Sequence, residues 1–207
     1  MKASSLSAAL TDLRDGKLRH IGPKVEGLSP TEKRAVSREA RRMLAEVVKR
    51  KSLTSSHRWL VTTLQFLAPP DAGDVLTAAL KQSINMKNCC GCTENRLIRA
   101  VGAITPPQAI PALVEVVSHE RNPVHKNLAA ACMKKMVRGR GPEAAAPLHN
   151  ERARLRRALD RLEKEVASTR PVKPARPWNV VPGSPKWFAA AQRAAKAITH
   201  LLERAGA

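Results

Sequence analysis

Apolar residues recur along this chain at three- and four-residue steps, broken by Pro, Gly and short polar runs. No segment alternates with a period of two between hairpin-type turns, the pattern a half-buried strand would need. The spacing predicts helices near 3–14, 30–50, 56–68, 71–82, 93–104, 107–119, 123–138, 142–167 and 185–204. The second has the clearest start: Ser29 stands at the cap, Pro30 at the first helical position, and Glu32 can reach back in a capping box. Ser184-Pro185 marks the start of the last helix in the same way. The expected fold class is all-α.

A repeat runs through the middle of the chain. Trp59-Leu-Val-Thr-Thr-Leu-Gln-Phe-Leu-Ala-Pro-Pro-Asp-Ala aligns with Arg96-Leu-Ile-Arg-Ala-Val-Gly-Ala-Ile-Thr-Pro-Pro-Gln-Ala at an offset of 96 − 59 = 37. Leu60 matches Leu97, Val61 matches Ile98, Leu64 matches Val101, Leu67 matches Ile104, and Leu76 matches Leu113. A weaker third copy, Glu143-Ala-Ala-Ala-Pro-Leu148, echoes Gln108-Ala-Ile-Pro-Ala-Leu113. Periods of this length belong to stacked helical units, none of which can bury its apolar face alone. The proline-marked turn inside each period predicts an antiparallel helix pair joined at that turn.

Asn122-Pro-Val-His-Lys-Asn-Leu-Ala-Ala-Ala131 resembles the inner helix of HEAT-like (PBS-lyase-type) repeats, with their Pro-x-Val-Arg-x-x-Ala-Ala pattern. Ala109-Ile-Pro-Ala-Leu-Val-Glu-Val-Val117 resembles the matching outer helix, Ala-Ile-Pro-x-Leu. The resemblance covers roughly residues 55–138 and implies a short α-solenoid. Where the family has Arg, this chain has His125 or Lys126, so what it implies is the helix pairing and not the family's buried Asp–Arg ladder. The expected organisation is a basic N-terminal cap over 1–54, repeats with a capping helix over 55–167, a Pro-rich linker over 168–184 and an amphipathic helix over 185–207.

Charge sharpens this picture. The 207 residues carry 37 Lys and Arg against 17 Asp and Glu, a net charge of +20. Residues 1–58 hold 14 basic and 6 acidic side chains (+8), residues 59–138 hold 9 and 5 (+4), and residues 139–207 hold 14 and 6 (+8). The excess thus lies on the flanks, as basic end helices around a nearly balanced body. On the helix from 31 to 51, Arg34, Arg38, Arg41, Arg42 and Lys49 form a stripe beside an apolar sector, with Glu32, Glu39 and Glu46 on the other edge. Such a stripe can face phosphates or carboxylates, or stand solvated beside its own glutamates. Arg152, Arg154, Arg156, Arg157 and Arg161 crowd the polar face of the 142–167 helix.

The final helix gathers Trp187, Phe188, Ala191, Ala195, Ile198, Leu201 and Leu202 on one side. Tethered by the linker, it could dock in a partner's groove or fold back on its own chain.

Candidate chemistry is sparse. Cys89 and Cys92 have the spacing of half a zinc site or of a redox pair, with Cys132, His119 and His125 as the remaining candidates. Cys132 reads better as a small core residue, and the loop as an incidental reduced one. The single His119-Glu120 pair falls short of the repeated His-Glu pairs of deoxyhypusine hydroxylase, a HEAT-like enzyme. HEAT-like DNA glycosylases place an acid beside tryptophans, and Trp59 with Asp71 or Asp74 is the remote counterpart here. There is no P-loop, dinucleotide fingerprint or Ser-His-Asp pattern. Aromatics amount to 2%, too few for the base-stacking platforms of single-strand binders.

Residues 1–16 lack the apolar run of a secretory signal, and the longest uncharged stretch, 100–114, is short and broken by prolines. A cytoplasmic protein is expected, with no cofactor and no membrane partner. The functional expectation is a non-enzymatic adaptor that meets an acidic protein or a larger assembly through its basic flanks. A sequence-blind nucleic-acid binder is the alternative. The expected contacts are Arg34, Arg38, Arg41, Arg42, Lys49, Arg152, Arg156 and Arg157 for the anionic partner, and Trp187, Phe188, Ile198, Leu201 and Leu202 for docking.

Overall fold

The computed structural model describes residues 5–16, 25–85, 91–118, 123–140, 142–168 and 185–205, and among them every regular element is helical. In chain order these are α1 (Ser5–Arg14), α2 (Pro30–Lys49), α3 (Arg58–Leu67), α4 (Gly73–Asn85), α5 (Gly91–Ile104), α6 (Ile110–Ser118), α7 (Pro123–Arg140), α8 (Pro142–Ser168) and α9 (Pro185–Ala205). Three single 3-10 turns, Ser55–His57, Pro70–Ala72 and Pro107–Ala109, lead into α3, α4 and α6. No helix among the described residues is long and apolar enough to cross a membrane. The chain divides into two compact units, Met1–Ala112 and Leu113–Ala207, a boundary that falls inside the stretch 55–167.

Helix starts follow their local chemistry. Ser29 is extended (φ −63°, ψ 160°), and its Oγ accepts from the Glu32 N–H at 3.3 Å. The Glu32 carboxylate accepts from the Ser29 N–H at 2.8 Å, which completes the box in front of Pro30. Those hydrogen bonds hold the Glu32 carboxyl below its ordinary range. At the end of α1, Gly16 takes the left-handed conformation (φ +67°), the usual way to stop a helix. A Cβ there would lie 3.4 Å from Nε1 of Trp59, an ordinary contact, so it is the backbone angle and not crowding that favours glycine.

In the first unit the 37-residue repeat holds at the level of single backbone groups. Ala68 and Thr105 both end their helices in the left-handed region (φ 43° and 55°). The Ala68 N–H donates to the Leu64 carbonyl at 2.8 Å, and the Thr105 N–H to the Val101 carbonyl at 2.7 Å. Pro69 and Pro106 are extended, and the Ala72 and Ala109 N–H groups close the two turns on their carbonyls, each at 3.0 Å. Matched side chains share their burial: Leu60 with Leu97, Val61 with Ile98, Leu64 with Val101, and Ala72 with Ala109 are all buried, and Leu67 and Ile104 are both half-buried.

The packing revises one expectation. The helices joined by the first proline turn, α3 and α4, are not among the closely packed pairs. Instead α2 packs on α3 and α4 on α5, while α2 also meets α4 and α3 meets α5. The left-handed residue and the Pro-Pro pair carry the chain from one packed pair to the next. The reason is that the left-handed Ala68 and the extended Pro69 lead the chain away from α3 before Pro70 opens the next helical turn.

Each proline turn is clasped by a side chain of the helix before the one that ends at it: α2 for the turn after α3, and α4 for the turn after α5. Arg41 of α2 donates to the carboxylate of Asp71 and, at 3.2 Å, to its backbone carbonyl. Asp74 of α4 accepts from the Gln108 amide at 2.8 Å. Asp71 and Gln108 occupy equivalent repeat positions (108 − 71 = 37), so the clasp recurs with its donor and acceptor exchanged. Arg96 adds a hydrogen bond to Thr62 at 2.9 Å, tying α5 to α3. At the second turn a Cβ on Gly73 would lie 2.7 Å from the Pro106 Cβ, so the start of α4 touches that ring directly.

In the second unit α9 packs on α8 and α7, and α7 on α8. Ile198 and Leu202 are buried there, Ala191 likewise, and Phe188 and Leu201 are half-buried. Cys132, Met133 and Met136 are buried on α7, in keeping with a core place for the cysteine. The weaker third copy of the repeat lies within the continuous helix α8, which carries Pro147 inside it.

Candidate anion-binding surfaces

The arginines of α2 divide into two groups. Arg41 is drawn into the clasp on Asp71, and Arg42 pairs with Glu39, its Nη2 at 3.0 Å from Oε1 and its Nε at 3.0 Å from Oε2. Arg14 of α1 reaches the same carboxylate at 3.0 Å. Glu39 is only 14% exposed, and it stays charged because these cations surround it. The Arg42 hydrogen bonds, and then Arg14, hold its carboxyl down to about 2, against the opposing effect of burial. The Arg42 guanidinium is correspondingly raised, first by its hydrogen bond to Glu39.

Arg34, Arg38 and Lys49 stand exposed, and among the described residues no carboxylate pairs with them. Within the five-residue stripe, Asp71 and Glu39 thus hold two side chains, and the other three stand without an ion pair among the described residues. Glu46, which lies three residues before Lys49, turns to Arg50 at 3.7 Å.

The same sorting appears on α8. Glu151 is buried, 5% exposed, and takes two hydrogen bonds from Arg154, one from Nε at 3.0 Å. This pairing raises the Arg154 guanidinium, and Glu115 adds to it. Arg152 and Arg156, by contrast, line an open cleft of about 270 Å³ together with Gln192, Ala195, Lys196 and Thr199 of α9. Among the described residues no carboxylate lines this cleft, and none pairs with Arg152, Arg156 or Lys196. Arg157 is exposed but does not line it.

Lys196 is the member that the sequence reading missed. A local signal was present: the positions three and four residues to either side are Gln192, Arg193, Thr199 and His200, with no acid among them. Its stripe, Gln192, Ala195, Lys196, Thr199, has the i, i+3, i+4, i+7 spacing of one helix face.

Other candidates fall in different places. Cys89 and His119, and the side chains of Cys92 and Trp187, lie outside the described residues. The Cys92 backbone belongs to the first turn of α5 and not to a loop. Among the described residues no group of three His, Cys, Asp or Glu side chains could hold a metal ion. The two acids near Trp59 have structural partners, Asp71 with Arg41 and Asp74 with Gln108. Comparison of the chain with known protein families, with characterised proteins and with solved structures finds no match.

Proposed function

We propose that the protein is a non-enzymatic helical-repeat module, a short HEAT-like α-solenoid of antiparallel pairs, that engages an acidic protein through its basic flanks. The observation that carries this reading is the sorting of cations on α2. Arg41 and Arg42 serve the fold, whereas Arg34, Arg38 and Lys49 are exposed with no counter-charge among the described residues. A rigid helix that displays three such cations offers a partner's carboxylates a fixed pattern. The solenoid reading draws on the packing of α2 with α3, α4 with α5, α2 with α4 and α3 with α5, and on the repeated turn geometry. A second reading, a sequence-blind nucleic-acid binder, is favoured by the net charge of +20.

The test compares the wild-type chain with Arg34→Glu/Arg38→Glu/Lys49→Glu, measuring binding to polyglutamate, duplex DNA and RNA over a salt series. The proposal expects polyglutamate binding that the triple variant loses while its helical content stays unchanged. Binding confined to the nucleic acids, with a steep salt slope, selects the second reading. Polyanion binding that survives the triple substitution overturns the assignment to α2.

A further inference from the structure

We infer that the cleft between α8 and α9 is a binding site for a phosphate monoester. It deepens the reading above for the second basic segment, and it concerns a unit and a ligand that the α2 test does not touch.

Two helices build the cleft, each contributing one face. Arg152 and Arg156 are four residues apart on α8, and Gln192, Lys196 and Thr199 share a stripe on α9 with the small Ala195 between them. Like charges at i, i+4 repel, and Lys196 adds a third positive charge to the same concavity. The fold has a means to relieve such repulsion on this very helix, since it gives Arg154 a buried carboxylate in Glu151. It does not use it at Arg152, Arg156 and Lys196, so the local field is left for a ligand.

The shape of the cluster selects the anion. Three cations that converge on one cleft match a compact group bearing about −1.5 to −2 charges and three acceptor oxygens, as a phosphate monoester does. A nucleic-acid backbone offers one charge per phosphodiester, spread along a line, and is better met by a linear track. The donors fit as well: two guanidinium forks can each hold two oxygens, and the ammonium and the Gln192 amide can supply the rest. The Thr199 hydroxyl already donates to the Ala195 carbonyl at 3.0 Å, so it bounds the cleft without donating to the ligand. A volume of about 270 Å³ suits a phosphate and the first atoms of its ester group, and sits below the usual range for larger organic ligands.

The test titrates the full chain with inorganic phosphate, O-phosphoserine and dimethyl phosphate at matched ionic strength, by calorimetry and thermal unfolding. The inference expects saturable binding of phosphate and O-phosphoserine, at least tenfold tighter than dimethyl phosphate, with a rise in Tm. A tighter hold on O-phosphoserine than on inorganic phosphate assigns the site to a phosphorylated residue, and the reverse order to the free anion. Arg152→Gln/Lys196→Gln should weaken both at least tenfold, and Arg157→Gln, outside the cleft, should leave them unchanged. Equal affinity for dimethyl phosphate, or phosphate binding indifferent to the double substitution, overturns the inference. The comparison of monoester with diester needs no variant, so it decides even if the double variant fails to fold.

Discussion

Gly73→Ala tests the central packing of the first unit through the sign of its effect. Gly73 has ordinary helical angles (φ −55°, ψ −44°), so an isolated helix would gain up to about 1 kcal/mol from alanine. In the folded unit the new Cβ would stand 2.7 Å from the Pro106 Cβ and 3.3 Å from its Cγ. Carbon atoms in good contact lie about 3.5–4.0 Å apart, so something must move by nearly an ångström. The buried Pro106 ring is fused to its own backbone and cannot rotate aside, as a long side chain could. Overpacking of this kind costs about 1–3 kcal/mol. With contact this close between a Cβ and a fixed ring the upper part of that range applies, so that after the propensity gain a net loss of up to about 2 kcal/mol is left. Urea unfolding followed by Trp59 fluorescence, in a chain with Trp178 and Trp187 changed to Phe, would report on this unit. Gly27→Ala is the control, because a Cβ there meets nothing within 4 Å. A Gly73→Ala protein as stable as its parent, or more so, would mean that the second proline turn does not rest on the start of α4.

Two further outcomes follow from the backbone and the charges. Thr105 and Ala68 hold left-handed conformations that cost an L-residue about 1–2 kcal/mol, so Thr105→Gly and Ala68→Gly should each raise stability by up to about 1 kcal/mol; lower Tm values for both would refute the turn geometry. Glu39 is lowered on folding from 4.5 to about 2, so its contribution is present above about pH 4.5 and is lost as the pH falls toward 2. With Arg14 and Arg42 61% and 64% exposed, solvent screening limits that contribution to about 1 kcal/mol. Between pH 5 and 2 the wild type should lose that much more stability than Glu39→Gln, and identical pH profiles would show that the two arginines do not hold the carboxylate.

Much of the helical layout was legible because its signals are local. The α2 start needs only Ser29, Pro30 and Glu32, and the Pro-Pro turns recur at the same offset in the sequence and in the backbone. Some ion pairs were equally local: Arg42 and Arg154 each have a glutamate three residues before them, and each is taken up by it. Arg41 has no acid three or four residues away, and only the approach of Asp71, 30 residues later, gives it a partner. The cleft was legible in halves, as Arg152 and Arg156 on one helix and an acid-free turn around Lys196 on another.

What the chain's order of residues determines by itself is therefore each helix, its ends, its apolar side and the 37-residue beat, since all of these depend on neighbours within a turn or two. Which helices become partners was decided only in three dimensions. The first proline turn connects α2–α3 to α4–α5, not the two members of a pair, and this depends on how buried faces compete for one another. The fate of each cation was settled in the same way, because a charge is neutralised or left open by whatever distant side chain the packing brings within a few ångströms.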